Sequence, residues 1–322
     1  MLLGALYYLK INLRFKIHGY KKMESLIHEY SQHAKPFMTG ICPAIFPSTL
    51  YETKETRIYE LNQQSTLKTS YPCTAPNLLA NFVKIAPGEE IVLMANCTSH
   101  LCYVIQGSGI VTCQNLSFSV WNQGDLFVVS GRDDIHLTSQ SVEDSVLYWV
   151  HDSPLLEYLG VQFYKSKFTP TLFTKDVLMQ NLEAVRHDED SHDRNRVGIL
   201  LSNVDTEDST KTVTHVLWSL LNVLPAHTKQ PPHKHNSVAL DLCVSGGSDK
   251  VYTLMGPELD EQGWVKDPLC IQWENGGAFV TPPGWYHSHH NDSDQDAIVL
   301  PIQDAGLYTY QRTLDLTFSK AR

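Results

Sequence analysis

The sequence has no basic excess. Lysine and arginine total 25 against 35 aspartate and glutamate, a formal net charge of -10. Phosphate neutralisation needs clustered Lys and Arg, so this balance argues against a nucleic-acid partner. It argues equally against a polybasic membrane anchor. Paired cysteines are missing too. The seven fall at 42, 73, 97, 102, 113, 243 and 270, an odd number without a CxxC pair. A disulfide framework or a zinc ribbon shows even, regular spacing, so reduced thiols in a cytoplasmic protein are expected. Long apolar runs are also absent. Met1 to Leu9 is apolar but too short to span a bilayer. No basic residues precede it and no small-residue cleavage site follows, so it reads poorly as a signal peptide. Residues 1–22 read as an extension, with the first domain opening at Met23.

What remains is an ordinary globular composition, 42% hydrophobic and 19% charged over 322 residues, which about 150 residues per domain divides into two. Short alternating runs bounded by Gly, Pro, Asn or Asp dominate: 81–85, 101–106, 125–130, 146–150, 238–244, 278–281 and 297–301. Closely spaced runs of this kind predict antiparallel strands in a sandwich or barrel. One helix is expected at 174–186, N-capped by Thr174, with Val177, Leu178, Leu182 and Val185 on one face. The charged run after it predicts a solvated linker over 187–195. That divides the chain into an N-terminal domain over 23–186 and a C-terminal domain over 196–322.

The two domains share an internal repeat. Gly88, Met94-x-Asn96, His100 and Gly107 have the same spacing as His227, His233-x-His235, Ala239 and Gly246. A second block follows each: Gly124, Ser130-Gly131-Arg132 and Ile135 in the first copy; Gly276, Pro282-Pro283-Gly284, His287 and Asn291 in the second. Only the second copy keeps the histidines. In a strand alternate residues share a face, so His233 and His235 present two imidazoles together. His287, following a tight turn, is the best third ligand. Three imidazoles on a divalent metal leave positions open for water, substrate or dioxygen. In the first copy His136 lies beside the vacant third position, so a two-histidine site with His100 is the alternative to a purely structural barrel.

Gly276-x5-Pro282-x-Gly284-x2-His287-x3-Asn291 and His233-Lys234-His235 through Gly246 resemble the two cupin motifs. His227 stands where the first motif opens with glycine, and Ala239 where it has glutamate. Loss of that glutamate resembles the gentisate / 1-hydroxy-2-naphthoate / salicylate 1,2-dioxygenase branch, whose bicupins hold Fe(II) with three histidines. The resemblance runs over roughly residues 75–318, with the halves exchanged in order. It implies an all-β fold, two double-stranded β-helix (jelly-roll) barrels with a few short helices. It implies a C-terminal metal set of His233, His235 and His287, a catalytic His289, and substrate contacts from Trp218, Ser237 and Asp241. Trp285 and Tyr286 are candidates to line the same pocket. Where the branch clamps a carboxylate with arginine, this chain has Asp241, a charge reversal that predicts a different substrate.

The expected function is therefore a metal-dependent, Fe(II) cupin dioxygenase acting on a small aromatic or enolisable substrate with dioxygen. A lyase, isomerase or hydrolase using Zn, Mn or Ni is the alternative, and a non-enzymatic binding bicupin a third. A homo-oligomer, dimer or tetramer, is expected by analogy with other bicupins.

Overall fold

Strands with both faces buried run through the middle of the molecule, and they explain its architecture. A computed structural model describes residues 26–114, 116–131, 134–188 and 196–321. The proposed extension, 1–22, and most of the 187–195 linker lie outside these. The chain divides into two units, Met1–Thr39 and Gly40–Arg322. The described part of the first contains one helical turn, Tyr30–His33, whose N-terminal amides are capped by Glu29.

The second unit holds two β barrels, each made of a six-stranded sheet facing a smaller one. The large sheet of the first barrel runs in the order Thr171–Phe173, Leu126–Ser130, Ser99–Gln106, Ser145–His151, Leu79–Ile85, Arg57–Glu60. The large sheet of the second runs Ile45–Phe46, Ala278–Thr281, Ala239–Ser245, Ala297–Gln303, Trp218–Leu224, Val197–Leu201. The two orders match strand for strand. The smaller sheets match as well, with Glu90–Leu93 pairing to Ile135–Ser139 as Thr228–Lys229 pairs to Tyr286–Asn291.

Period-2 alternation sorts the side chains. On Ser99–Gln106, Cys102 and Val104 point into the first barrel, while Leu101 and Tyr103 point outward. On Ala239–Ser245, Cys243 packs in the second barrel core, while Leu240 and Leu242 point outward. The outward sets meet in one core shared by both barrels, which also takes in Phe82, Tyr148, Val280 and Ile302. This burial on both sides makes the central strands near-continuous apolar runs.

The predicted helix forms at Lys175–Arg186, with Thr174 Oγ1 accepting from Val177 N. Leu178 and Leu182 are buried, but Val177 is half exposed. One pairing has no counterpart in the sequence reading. Ile45–Phe46, ahead of the first barrel, pairs with Phe279 and Ala278 of the second.

Candidate metal centre

The site is built on a pair of antiparallel strands. His233 lies opposite His287, and on its other side opposite Phe318 of the last strand, Leu316–Phe318. The turn before His287 is fixed by Gly284, whose positive φ of 77° suits glycine. Its amide donates to the His235 carbonyl at 2.7 Å. The turn thus ties one ligand strand to the other. The rings of His233, His235 and His287 lie 4.0–5.6 Å apart, centre to centre. One nitrogen from each falls within 4.8 Å of the others. Among the described residues no other cluster of three or more metal-ligating side chains forms.

Two of the rings are oriented from behind. His235 Nδ1 meets the Ser237 carbonyl at 2.9 Å, and His287 Nδ1 the Trp285 carbonyl at 3.2 Å. A carbonyl only accepts, so Nδ1 carries the proton in both rings and Nε2 offers its lone pair. His233 differs. Arg196 Nη2 lies 2.5 Å from its Nδ1 and donates also to the Pro231 carbonyl. A guanidinium only donates, so here Nδ1 is the acceptor. Burial holds all three imidazoles in the neutral form. It lowers His235 to about 4 and His233 and His287 well below the usual histidine range.

A cavity of about 210 Å³ opens on the triad. Trp218, Asp241 and His289 line it, as do Arg196, Gln303 and Phe318. His289 is held by Thr253, whose hydroxyl lies 2.8 Å from its Nδ1. Thr253 Oγ1 in turn accepts from Trp273 Nε1 at 2.8 Å. With one lone pair so engaged, the hydroxyl can still donate to Nδ1, the arrangement in which neutral His289 carries its proton on Nε2. Asp241 is buried, and Thr281 donates to its Oδ2 at 2.6 Å. Among the described residues it has no cationic partner. Burial pushes its carboxyl up to about 7.

Three residues expected at the substrate stand elsewhere. Ser237 is fully buried behind His235, bonded to that ring and to Gln303 Oε1. Trp285 packs on the barrel core. Tyr286, one residue out of phase with His287, carries Lys234 over its ring at 4.6 Å. None of the three lines the cavity. Strand parity accounts for Tyr286. The two-histidine alternative in the first barrel fails on the same ground. Ile135 points inward and His136 outward, where it meets Glu90 at 3.0 Å. His100 is buried against Trp149 and Cys97.

Arg196 escaped the sequence reading because it stands directly after the charged run read as linker, 37 positions before His233, where no local pattern ties it to the histidines. The signal was its place directly before the alternating stretch Val197–Leu201. Phe318 escaped because three exposed residues carry little periodic signal.

No family model matches the sequence, and no curated protein matches it. Solved structures do share its fold. The salicylate 1,2-dioxygenase of Pseudoaminobacter salicylatoxidans, in its adduct with gentisate, matches with a TM-score of 0.71 at 13% identity, over 92% of this chain and 91% of that one. Another structure of that enzyme gives 0.70 at 14% identity, over 88% and 89%. The vicilin of Corylus avellana (hazelnut) gives 0.53 at 12% identity, over 85% and 87%. At such identities the likeness establishes architecture, an all-β fold of two cupin barrels.

Proposed function

We propose that the chain is a metal-dependent cupin enzyme, an Fe(II) dioxygenase acting on a small aromatic or enolisable substrate in its C-terminal barrel. The observation that carries this reading is the convergence of three neutral imidazoles, two buried and His233 half-buried, on one cavity. The donors fit a divalent transition ion, with three nitrogens and no carboxylate among them. When bound, Fe(II) supplies Lewis acidity and a template for substrate and dioxygen.

The chain's own residues do the rest. Ligation by His233 through Nε2 requires its proton on Nδ1, so the Arg196 contact gives way on loading. The guanidinium is then directed to an anionic or oxygen-rich group in the cavity, in the role that Asp241 cannot fill. His289 presents Nε2–H to the substrate and holds or passes a proton there. Trp218 and Phe318 shape the walls and exclude water. A cavity this small suits a single ring.

One observation favours a second reading. Asp241 and His289 are two proton-transfer groups on one small cavity, an arrangement that suits a lyase, isomerase or hydrolase with Zn, Mn or Ni. Elemental analysis of the purified protein followed by oxygen-electrode screening of phenols, hydroxyacids and diketones separates the two. Iron with oxygen uptake supports the dioxygenase. Turnover without oxygen supports the second reading. Metal without any turnover leaves a binding bicupin.

The same proposal includes an N-terminal barrel without ligands joined through 187–195 to the metal-bearing one, and a homo-oligomer of two or four chains. It places the protein in the cytoplasm. Cys42, Cys73, Cys97, Cys102, Cys243 and Cys270 carry free thiols, and no described helix is long and apolar enough to cross a membrane.

A further inference from the structure

The first barrel, left without metal ligands, still has a cavity at the matching place. It measures about 850 Å³, against about 210 Å³ at the triad. Met94 and Asn96 stand on its wall at the repeat positions of His233 and His235. Trp149 lies opposite Cys102 as Pro301 lies opposite Asp241, and His151 opposite His100 as Gln303 opposite Ala239. The difference in size has a visible source. The strand Leu316–Phe318 borders His233–His235, whereas Met94–Asn96, at the repeat positions of those histidines, pair with no strand among the described residues.

The lining has the chemistry of a small-molecule site rather than of a vestige. Asn96 is committed to structure, bonded to Val161 O and Phe163 N. His151 is not. Its side chain is only 3% exposed, and its ring lies 4.4 Å from that of Trp149. The Ser153 amide donates to Nδ1 at 3.4 Å, and burial keeps the ring neutral, so the proton sits on Nε2. Nε2 has no partner among the described residues, yet it is not sealed from solvent. His151 lines the cavity, so this unpartnered N–H is a donor available at its wall. Tyr59, Tyr71 and Met94 add flat and polarizable surface around it. Glu60 and Glu157 outnumber Arg57 on the wall, which disfavours anions, while the His151 N–H disfavours cations.

We propose that this N-terminal cavity is a second, metal-independent binding site for an uncharged planar ring compound that offers an acceptor oxygen to His151 Nε2. The site does not depend on the function proposed for the other barrel.

A matched trio tests it: benzamide, benzoate and benzamidine share one shape and differ in charge. The reporter is the indole N–H signal of Trp149 in protein labelled with ¹⁵N-tryptophan, assigned by Trp149→Phe. Benzamide is expected to shift that signal saturably, with the two ions at least about tenfold weaker. His151→Leu should weaken benzamide about tenfold, the worth of one neutral hydrogen bond. His151→Gln, which keeps an N–H donor, should retain most of the binding. Met94→Trp, at a 67% exposed residue on the cavity rim, should fill the mouth and displace the probe without disturbing the core. A shift confined to Trp218, equal response to benzoate, or indifference to both His151→Leu and Met94→Trp overturns the proposal. So does the absence of any shift.

Discussion

In the second barrel the ligand strand is bordered by Leu316–Phe318 and the cavity is about 210 Å³; in the first, Met94–Asn96 at the matching positions pair with no strand among the described residues and the cavity is about 850 Å³. The strand orders are the same, and the chemistry at matching positions diverges. His233, His235 and His287 answer to Met94, Asn96 and Ile135, and Asp241 to Cys102. The scaffold therefore does not dictate the site. Inward-facing positions along shared strands do, and each half has filled them with different side chains.

Four changes break or sharpen that contrast. The largest effect is expected from His287→Ala. It should abolish metal loading, as read by elemental analysis, and leave the circular dichroism spectrum nearly unchanged, because the barrel core does not rest on that ring. Unchanged metal content would return the second barrel to the status of the first. Next is Thr253→Val, which frees His289 without touching a ligand. Losing such an orienting bond costs about 10–100-fold in activity, with metal content retained.

Asp241→Asn addresses the wall. In the folded protein burial holds Asp241 near 7, well above an unfolded aspartate. Between about pH 4 and 7 the native state therefore binds the proton that the unfolded state has released. Stability contributed by this group falls as pH rises through that window, and is least above 7. In metal-free protein Asp241→Asn should flatten the decline and gain on the order of 4 kcal/mol at pH 8, measured by urea unfolding across pH. At pH 4 the two proteins should agree. No such change is expected at the matching Cys102, whose thiol burial keeps protonated throughout.

The smallest effect is at His227. It adopts a positive φ of 56° where the first barrel has Gly88 at 74°. His227→Gly should relieve about 1 kcal/mol of left-handed strain, less the loss of an exposed contact with Asp294. A modest rise in Tm is the measurement.

Much of this was legible in the sequence. Alternation located the central strands, and the HxH pair with the turn before His287 located the triad, because period and turn geometry act locally. Thr174 marked its helix for the same reason. Arg196, Gln303 and Phe318 were not legible as cavity residues. Each reaches the site from an edge strand or a strand end distant in sequence, and only the folded sheet brings them together. Ser237 and Tyr286 were assigned to the wrong surface because proximity to a ligand in sequence does not fix the direction of a side chain. Asp241 was the opposite case. Expected at the substrate, it does line the cavity, and its hydrogen-bond partner there is the Thr281 hydroxyl.

The pairing of Ile45–Phe46 with the far barrel bears on how the chain comes together. During synthesis the first barrel can close before the second emerges, but the leading strand must wait for Ala278–Thr281 to arrive. Closing so distant a contact is slow, and until then the edge of that sheet stays open to other chains. Expressed alone, the second barrel would meet the same hazard permanently, lacking its bordering strand and exposing Leu240 and Leu242 on its outer face.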